Sequence, residues 1–138
     1  MSRSKVIVAI VGFLILGIVS WPYLAGSRGV SRESPKVRRL VTMGNLNTLR
    51  SALDAYKGKF GTFPKDLAEL QAKGVLTESV LAAELPVVSS KVFYGASLEV
   101  EGSGGWFYVN DPRSNDFGKL VVNSGEKDVV NGRPWSSF

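Results

Sequence analysis

Any chemistry in this 138-residue chain must be done without thiols or imidazoles, because it contains no cysteine and no histidine. That removes disulfides, thiolate nucleophiles, the usual zinc and haem sites, and any Ser-His-Asp triad. What remains is oxygen, gathered in two places: Asn110, Asp111, Asn115 and Asp116, and further on Asn123, Glu126, Asp128 and Asn131. A pair of carboxylates such as Asp111 and Asp116 could serve acid–base work, but Asp111-Pro-Arg-Ser-Asn-Asp-Phe-Gly118 already reads as a turn, which explains the same residues more cheaply. Gly102-Ser-Gly-Gly105 is not a phosphate loop, since it lacks both the lysine and the following helix of one. No motif singles out a Ser–Lys pair. The expectation is a protein that is not an enzyme.

Charge is spread unevenly. Of the net +5, residues 1–50 carry Arg3, Lys5, Arg28, Arg32, Lys36, Arg38, Arg39 and Arg50 against Glu33, and the remainder is slightly acidic. These cations surround an apolar run, as anionic headgroups would favour. A nucleic-acid partner is not expected, because its footprint would be a basic face with interleaved aromatics on the folded part.

The apolar run supplies the first element. Residues 6–24 start at Val6, pass through Phe13 and Leu16 without a charge, and reach Trp21, Pro22 and Tyr23. As a helix these nineteen residues rise about 28 Å, close to the hydrocarbon thickness of a bilayer. Trp21 and Tyr23 fall where interfacial aromatics sit, with Pro22 as a bend or end. The reading is a short basic flank at 1–5, a single-pass transmembrane helix at 6–24, a basic connection at 25–35 and an α+β domain at 36–138. A cleaved secretory signal is the competing account, against which Leu24-Ala25-Gly26 offers a poor cleavage site. Counting positive charges alone would place the domain in the cytoplasm.

Ser34-Pro35 makes a good helix start. Val37, Leu40, Val41, Leu46, Leu49, Ala52, Leu53 and Tyr56 then recur at three- and four-residue steps, predicting a long helix with one apolar face that ends at Lys57-Gly58. A short helix is expected over Lys65–Leu70, stopping at Gly74, and another turn or two over Thr77–Leu85. Strand-like runs follow at Lys91–Tyr94 with Leu98–Glu101, at Trp106–Asn110 and at Lys119–Asn123. The glycine-rich stretches between them suggest an antiparallel meander, one small sheet under the helix.

In Leu46-Asn-Thr-Leu-Arg-Ser-Ala-Leu-Asp-Ala-Tyr56, followed by Gly61-Thr-Phe-Pro64 and Asp66-Leu67-Ala-Glu-Leu70, the chain resembles the type IV pilin and type II secretion pseudopilin family. Gly104-Gly-Trp-Phe-Tyr108, Gly118-Lys-Leu-Val-Val-Asn123 and Pro134-Trp-Ser-Ser-Phe138 are similar to the strands and tail of its pseudopilin-like members. The resemblance implies a spine helix whose first half lies in the membrane or filament core and whose second half, with Leu46, Leu49, Leu53 and Tyr56, packs on a three- or four-stranded antiparallel sheet. It implies a subunit of a type II secretion system or type IV pilus, anchored in a bacterial inner membrane with its domain in the periplasm or cell exterior. Its partners would be membrane lipid, other pilin-like subunits and assembly machinery.

Some pseudopilins hold calcium in the C-terminal loop, so the resemblance also implies a calcium site at Asn123, Glu126, Asp128 and Asn131; an ordinary polar loop is the competing account. The family's Phe/Met-Thr-Leu-Ile-Glu run is not present, and Lys5 falls where its early glutamate would stand. Asp111-Pro112-Arg113 only partly matches the pseudopilin Asp-Pro-Trp-Gly turn. These departures suit a second expectation, a membrane-tethered extracytoplasmic binding module. A third is a DNA-uptake pseudopilin using Arg28 to Arg39 on phosphate.

Overall fold

The computed structural model describes residues 34–138. The expected basic flank, the expected transmembrane helix with Val6, Phe13, Leu16, Trp21, Pro22 and Tyr23, and nearly all of the expected connection lie outside the described residues. Among the described residues no helix is long and apolar enough to cross a membrane. Their order is helix α1 (Pro35–Phe60), helix α2 (Ala68–Ala72), strands β1 (Val92–Gly95), β2 (Trp106–Val109) and β3 (Leu120–Val122), and a closing 3-10 turn (Trp135–Ser137). The class is α+β, with one long helix and a small three-stranded sheet.

Helix α1 begins at the expected proline and carries Lys57 and Lys59 in its last turn, where cations complement the helix dipole. Its buried stripe is Thr42, Leu46, Leu49, Ala52, Leu53 and Tyr56. Leu40, expected on that face, is instead 67% exposed, because the true stripe runs back from Leu46 to Thr42 and Leu40 lies on the far side of the helix. The short helix also forms, slightly later than expected, and stops before Gly74, whose φ of 67° suits glycine after a helix end.

The sheet has the order β1-β2-β3 and is mixed, which corrects the antiparallel expectation. Strands β2 and β3 are antiparallel, with Phe107 opposite Val121. Strands β1 and β2 are parallel, with Phe93 beside Phe107. The cause lies in residues 96–105. Leu98 and Val100, expected in a strand, pack instead over Phe107, Val109 and Val121 on the outer face of the sheet. The connection therefore crosses that face and brings the chain back to start β2 in the direction of β1. Gly102, Gly104 and Gly105, all with positive φ, turn it, and a Cβ on Gly105 would overlap the Lys91 carbonyl. On the inner face Trp106, Tyr108, Leu120 and Val122 join the core of α1 and α2.

The helix expected over Thr77–Leu85 does not form, because side chains elsewhere take its backbone groups. Thr42 Oγ1 accepts the N–H of Glu84 at 2.9 Å and of Leu85 at 3.1 Å, while donating to the Arg38 carbonyl one turn back. Asn45 donates to the Ala82 carbonyl, Arg38 to that of Glu84, and Trp106 Nε1 to that of Leu81. This segment lies along α1 as an irregular strap, and no buried side-chain nitrogen or oxygen among the described residues lacks a partner.

Thr42→Val keeps the volume of this side chain but leaves two backbone N–H groups unpaired in the core. It is expected to cost about 2–4 kcal/mol in chemical denaturation, against about 1 kcal/mol for Thr42→Ser, which retains the hydroxyl.

Candidate functional site

The four residues of the expected calcium loop are held by different partners. Asn123 is fully buried and staples the crossover to β3: its Oδ1 accepts the Glu101 N–H at 2.9 Å, and its Nδ2 donates to Ser103 Oγ and the Gly104 carbonyl. Asp128, also buried, receives Arg39 Nε on Oδ2 at 2.8 Å. Asn131 Oδ1 accepts the Arg133 N–H in a local turn. Glu126 is exposed, and its backbone carbonyl accepts the Trp135 N–H. Among the described residues no three carboxylates cluster closely enough to hold a metal ion.

What these contacts build is a hairpin at 126–134. Lys127 pairs with Pro134 in an antiparallel bridge, the Asp128 N–H donates to the Arg133 carbonyl, and the Gly132 N–H donates to the Asp128 carbonyl. The Asp128 carboxylate pins the hairpin to α1 through Arg39, whose side chain is 21% exposed. At the tip stand Val129, 80% exposed, and Val130, 58% exposed. Val130 shares with Lys36, Arg39 and Leu40 a shallow groove of about 220 Å³. Apolar and cationic groups thus meet beside the first turns of α1, and this is the candidate interaction surface.

The tail then folds back. Trp135 is buried in the core, and Phe138 lies under the Arg39 and Arg133 guanidinium groups at 5.9 and 5.1 Å from its ring centre. Arg50, on the inner half of α1, donates to the carbonyls of Leu120 and Phe138 and so ties the helix to β3 and the tail. Half-buried there, its guanidinium has its pKa lowered by desolvation. Beside it, Leu53, Asp54, Gly118, Lys119 and Leu120 line an open cleft of about 320 Å³.

Leu46, Leu49, Leu53 and Tyr56, expected as the packing face of the helix, are all spent on the core of this chain. Tyr56 belongs to a set of three tyrosines that clamp residues 64–69, the end of the loop before α2 and the first turn of α2. Tyr56 Oη donates to Glu69, Tyr94 Oη to Asp66 and Tyr108 Oη to the Pro64 carbonyl, at 2.6–2.8 Å. All three hydroxyls titrate above the ordinary tyrosine range. For Tyr56 the largest cause is the hydrogen bond to Glu69; for Tyr108 it is burial. Tyr94 is pushed up to about 12, first by burial and then by the hydrogen bond to Asp66.

The Asp111 and Asp116 carboxylates each serve the loop they stand in. Asp111 accepts from both the backbone and the guanidinium of Arg113, whose hydrogen bonds hold its carboxyl below the usual range. Asp116 lies 3.8 Å from Lys119. Thr42 and Arg50 are not among the site residues expected from the sequence, and Arg39 is expected only as one of the cations from Arg28 to Arg39, although Thr42 continues the four–three spacing of Leu46, Leu49 and Leu53 one step back. Arg39 and Arg50 were visible only as charge.

No family model, no curated protein and no solved structure matches this chain.

Arg39→Ala leaves the Asp128 carboxylate buried without its cation and is expected to cost about 2–4 kcal/mol. Combined with Asp128→Asn, the loss should fall short of the sum by about 1–3 kcal/mol, as a denaturation double-mutant cycle would read. A second expectation concerns alkali. Tyr94 has a folded pKa above its unfolded value of about 10, so its contribution is intact below pH ~10 and is lost as pH rises toward 12. The denaturation midpoint should hold from pH 7 to about 9 and fall beyond about 10, less steeply in Tyr94→Phe.

Proposed function

We propose that this chain is a pilin-like or pseudopilin-like subunit, anchored in a bacterial inner membrane, that acts in type II secretion or type IV pilus assembly through protein–protein contacts. Its apolar run would be the anchor and its α+β domain would lie in the periplasm or at the cell exterior. The observation that carries the reading is the form of α1. A core helix would start where its sheet starts, whereas α1 begins seven residues before Thr42, its first buried residue. Its first two turns therefore carry no fully buried residue: they hold the strap and the hairpin through Arg38 and Arg39 and leave Pro35, Lys36 and Leu40 exposed, at the end of the helix that follows the apolar run in the sequence. A helix of this kind suits a spine.

The outward face of α1 supports the same reading. Gly44, Thr48, Ser51 and Ala55 follow one another at four- and three-residue steps and are all exposed, a ridge of small residues that allows close approach of a neighbouring subunit. Because the apolar stripe of Leu46 to Tyr56 is used within the chain, contacts between subunits fall to this ridge and to the apolar run. On this reading the role is mechanical.

One observation favours a second reading, a membrane-tethered binding module with the same domain. Lys5 stands where the family has an acidic residue, and a lysine there would repel the amino terminus of a neighbouring chain.

The two readings part in one measurement. The full chain has no cysteine, so Thr48→Cys with Ala55→Cys places two reporters on the ridge. In membranes of the native host, mild oxidation is expected to give a ladder of multiples of the chain. Monomer at every expression level would exclude the subunit reading and leave the tethered module.

A further inference from the structure

The tip of the 126–134 hairpin is the most exposed apolar feature of the described residues, and neither the core nor α1 needs it. Val129 and Val130 stand 80% and 58% exposed, next to Leu40 at 67%. They are not there through looseness. The bridge of Lys127 to Pro134, the paired backbone groups of Asp128 with Arg133 and Gly132, and the buried Arg39–Asp128 ion pair fix the turn from both sides. A rigid turn that holds two valines in water pays a continuing hydration cost, which a contacting apolar phase would remove.

The groups around the tip indicate the nature of that phase. Lys127 and Arg133 flank it on the hairpin, both exposed, and Lys36 lies across the groove shared by Leu40 and Val130. Against them stands one exposed acid on the hairpin, Glu126, since Asp128 is neutralised by Arg39. An apolar tip within a ring of cations matches the boundary between acyl chains and anionic headgroups. A second copy of the domain would present the same cations and be repelled.

We infer that the Val129–Val130 tip docks into the surface of an anionic bilayer, with Lys36 and Lys127 on the headgroups. The inference rests on the membrane-anchored reading above. It gives that reading a second contact, independent of the apolar run. The sequence suits it: nine residues lie between Leu24 and Ser34, a stretch that reaches at most roughly 35 Å, so an anchored chain keeps the start of α1 within reach of the headgroups. Docking at the tip would hold the domain at one tilt on the bilayer.

The test uses the full chain with Val130→Cys carrying an environment-sensitive fluorophore, the only thiol present, reconstituted into vesicles. In phosphatidylcholine mixed with phosphatidylglycerol, the emission is expected to shift to the blue and to be quenched by brominated lipid. Quenching should fall at least about threefold in pure phosphatidylcholine, at about 1 M salt, and in the Lys36→Glu, Lys127→Glu background. A probe at Lys73→Cys, on the exposed end of α2, should stay aqueous throughout.

Other results would overturn the inference in distinguishable ways. A chain that floats with the vesicles while the position-130 probe stays aqueous defeats the docking and leaves the anchor intact. A chain that does not associate with vesicles defeats both. Burial of the probe that is equal in both lipids, or that rises with protein density and shows self-quenching, would give the tip to a different occupant.

Discussion

Three strands of three or four residues cannot hold themselves together, and the structure follows from that. A sheet this small becomes stable only when apolar cover reaches both faces, because its ladder alone cannot offset the entropy of ordering it. The inner face is covered by α1 through Leu46, Leu49 and Leu53, and the outer face by the crossover through Leu98 and Val100. Every residue of β2 is buried as a result. The parallel pairing of β1 follows from the same need: a tight hairpin at Gly102–Gly105 would have kept Leu98 and Val100 at the edge, whereas the crossover lays them over Phe107 and Val109.

The second constraint is polar. A strap of irregular chain can lie against a helix only if its backbone groups find partners, and here α1 supplies them from the same face that carries the leucines. Thr42 and Asn45 work at one end of the stripe and Arg50 near its middle, so α1 is both the apolar floor and the hydrogen-bonding scaffold of the domain. The Arg39–Asp128 pair extends this to the hairpin. Polar side chains of one helix thereby fix the strap, the hairpin and the tail.

Features that repeat along the sequence were legible in it. The period of Leu46, Leu49, Leu53 and Tyr56 gave the helix and its buried face, Pro35 gave its start, and the apolar triplets gave β2 and β3. Strand direction was hidden, because Leu98 and Val100 alternate with polar residues whether they lie in a strand or across a sheet. The strap was misread for a related reason: Thr77–Leu85 has helical composition, and it is Thr42, more than thirty residues away, that claims its amides. In the tail, Asn123 and Asp128 looked like oxygen donors for a cation. Both are polar pins, and the sequence does not distinguish a carboxylate awaiting a metal from one awaiting an arginine.

Arg50 has an effect beyond tying the helix to the tail. On β3 the carbonyls of Leu120 and Val122 point away from β2; the first is taken by the Arg50 guanidinium and the second by the Ser124 N–H. A foreign strand approaching this edge finds both acceptors already filled. Strand addition at this edge would have to displace both, so crowding many such domains together on one surface is less apt to lead to cross-β pairing along that side.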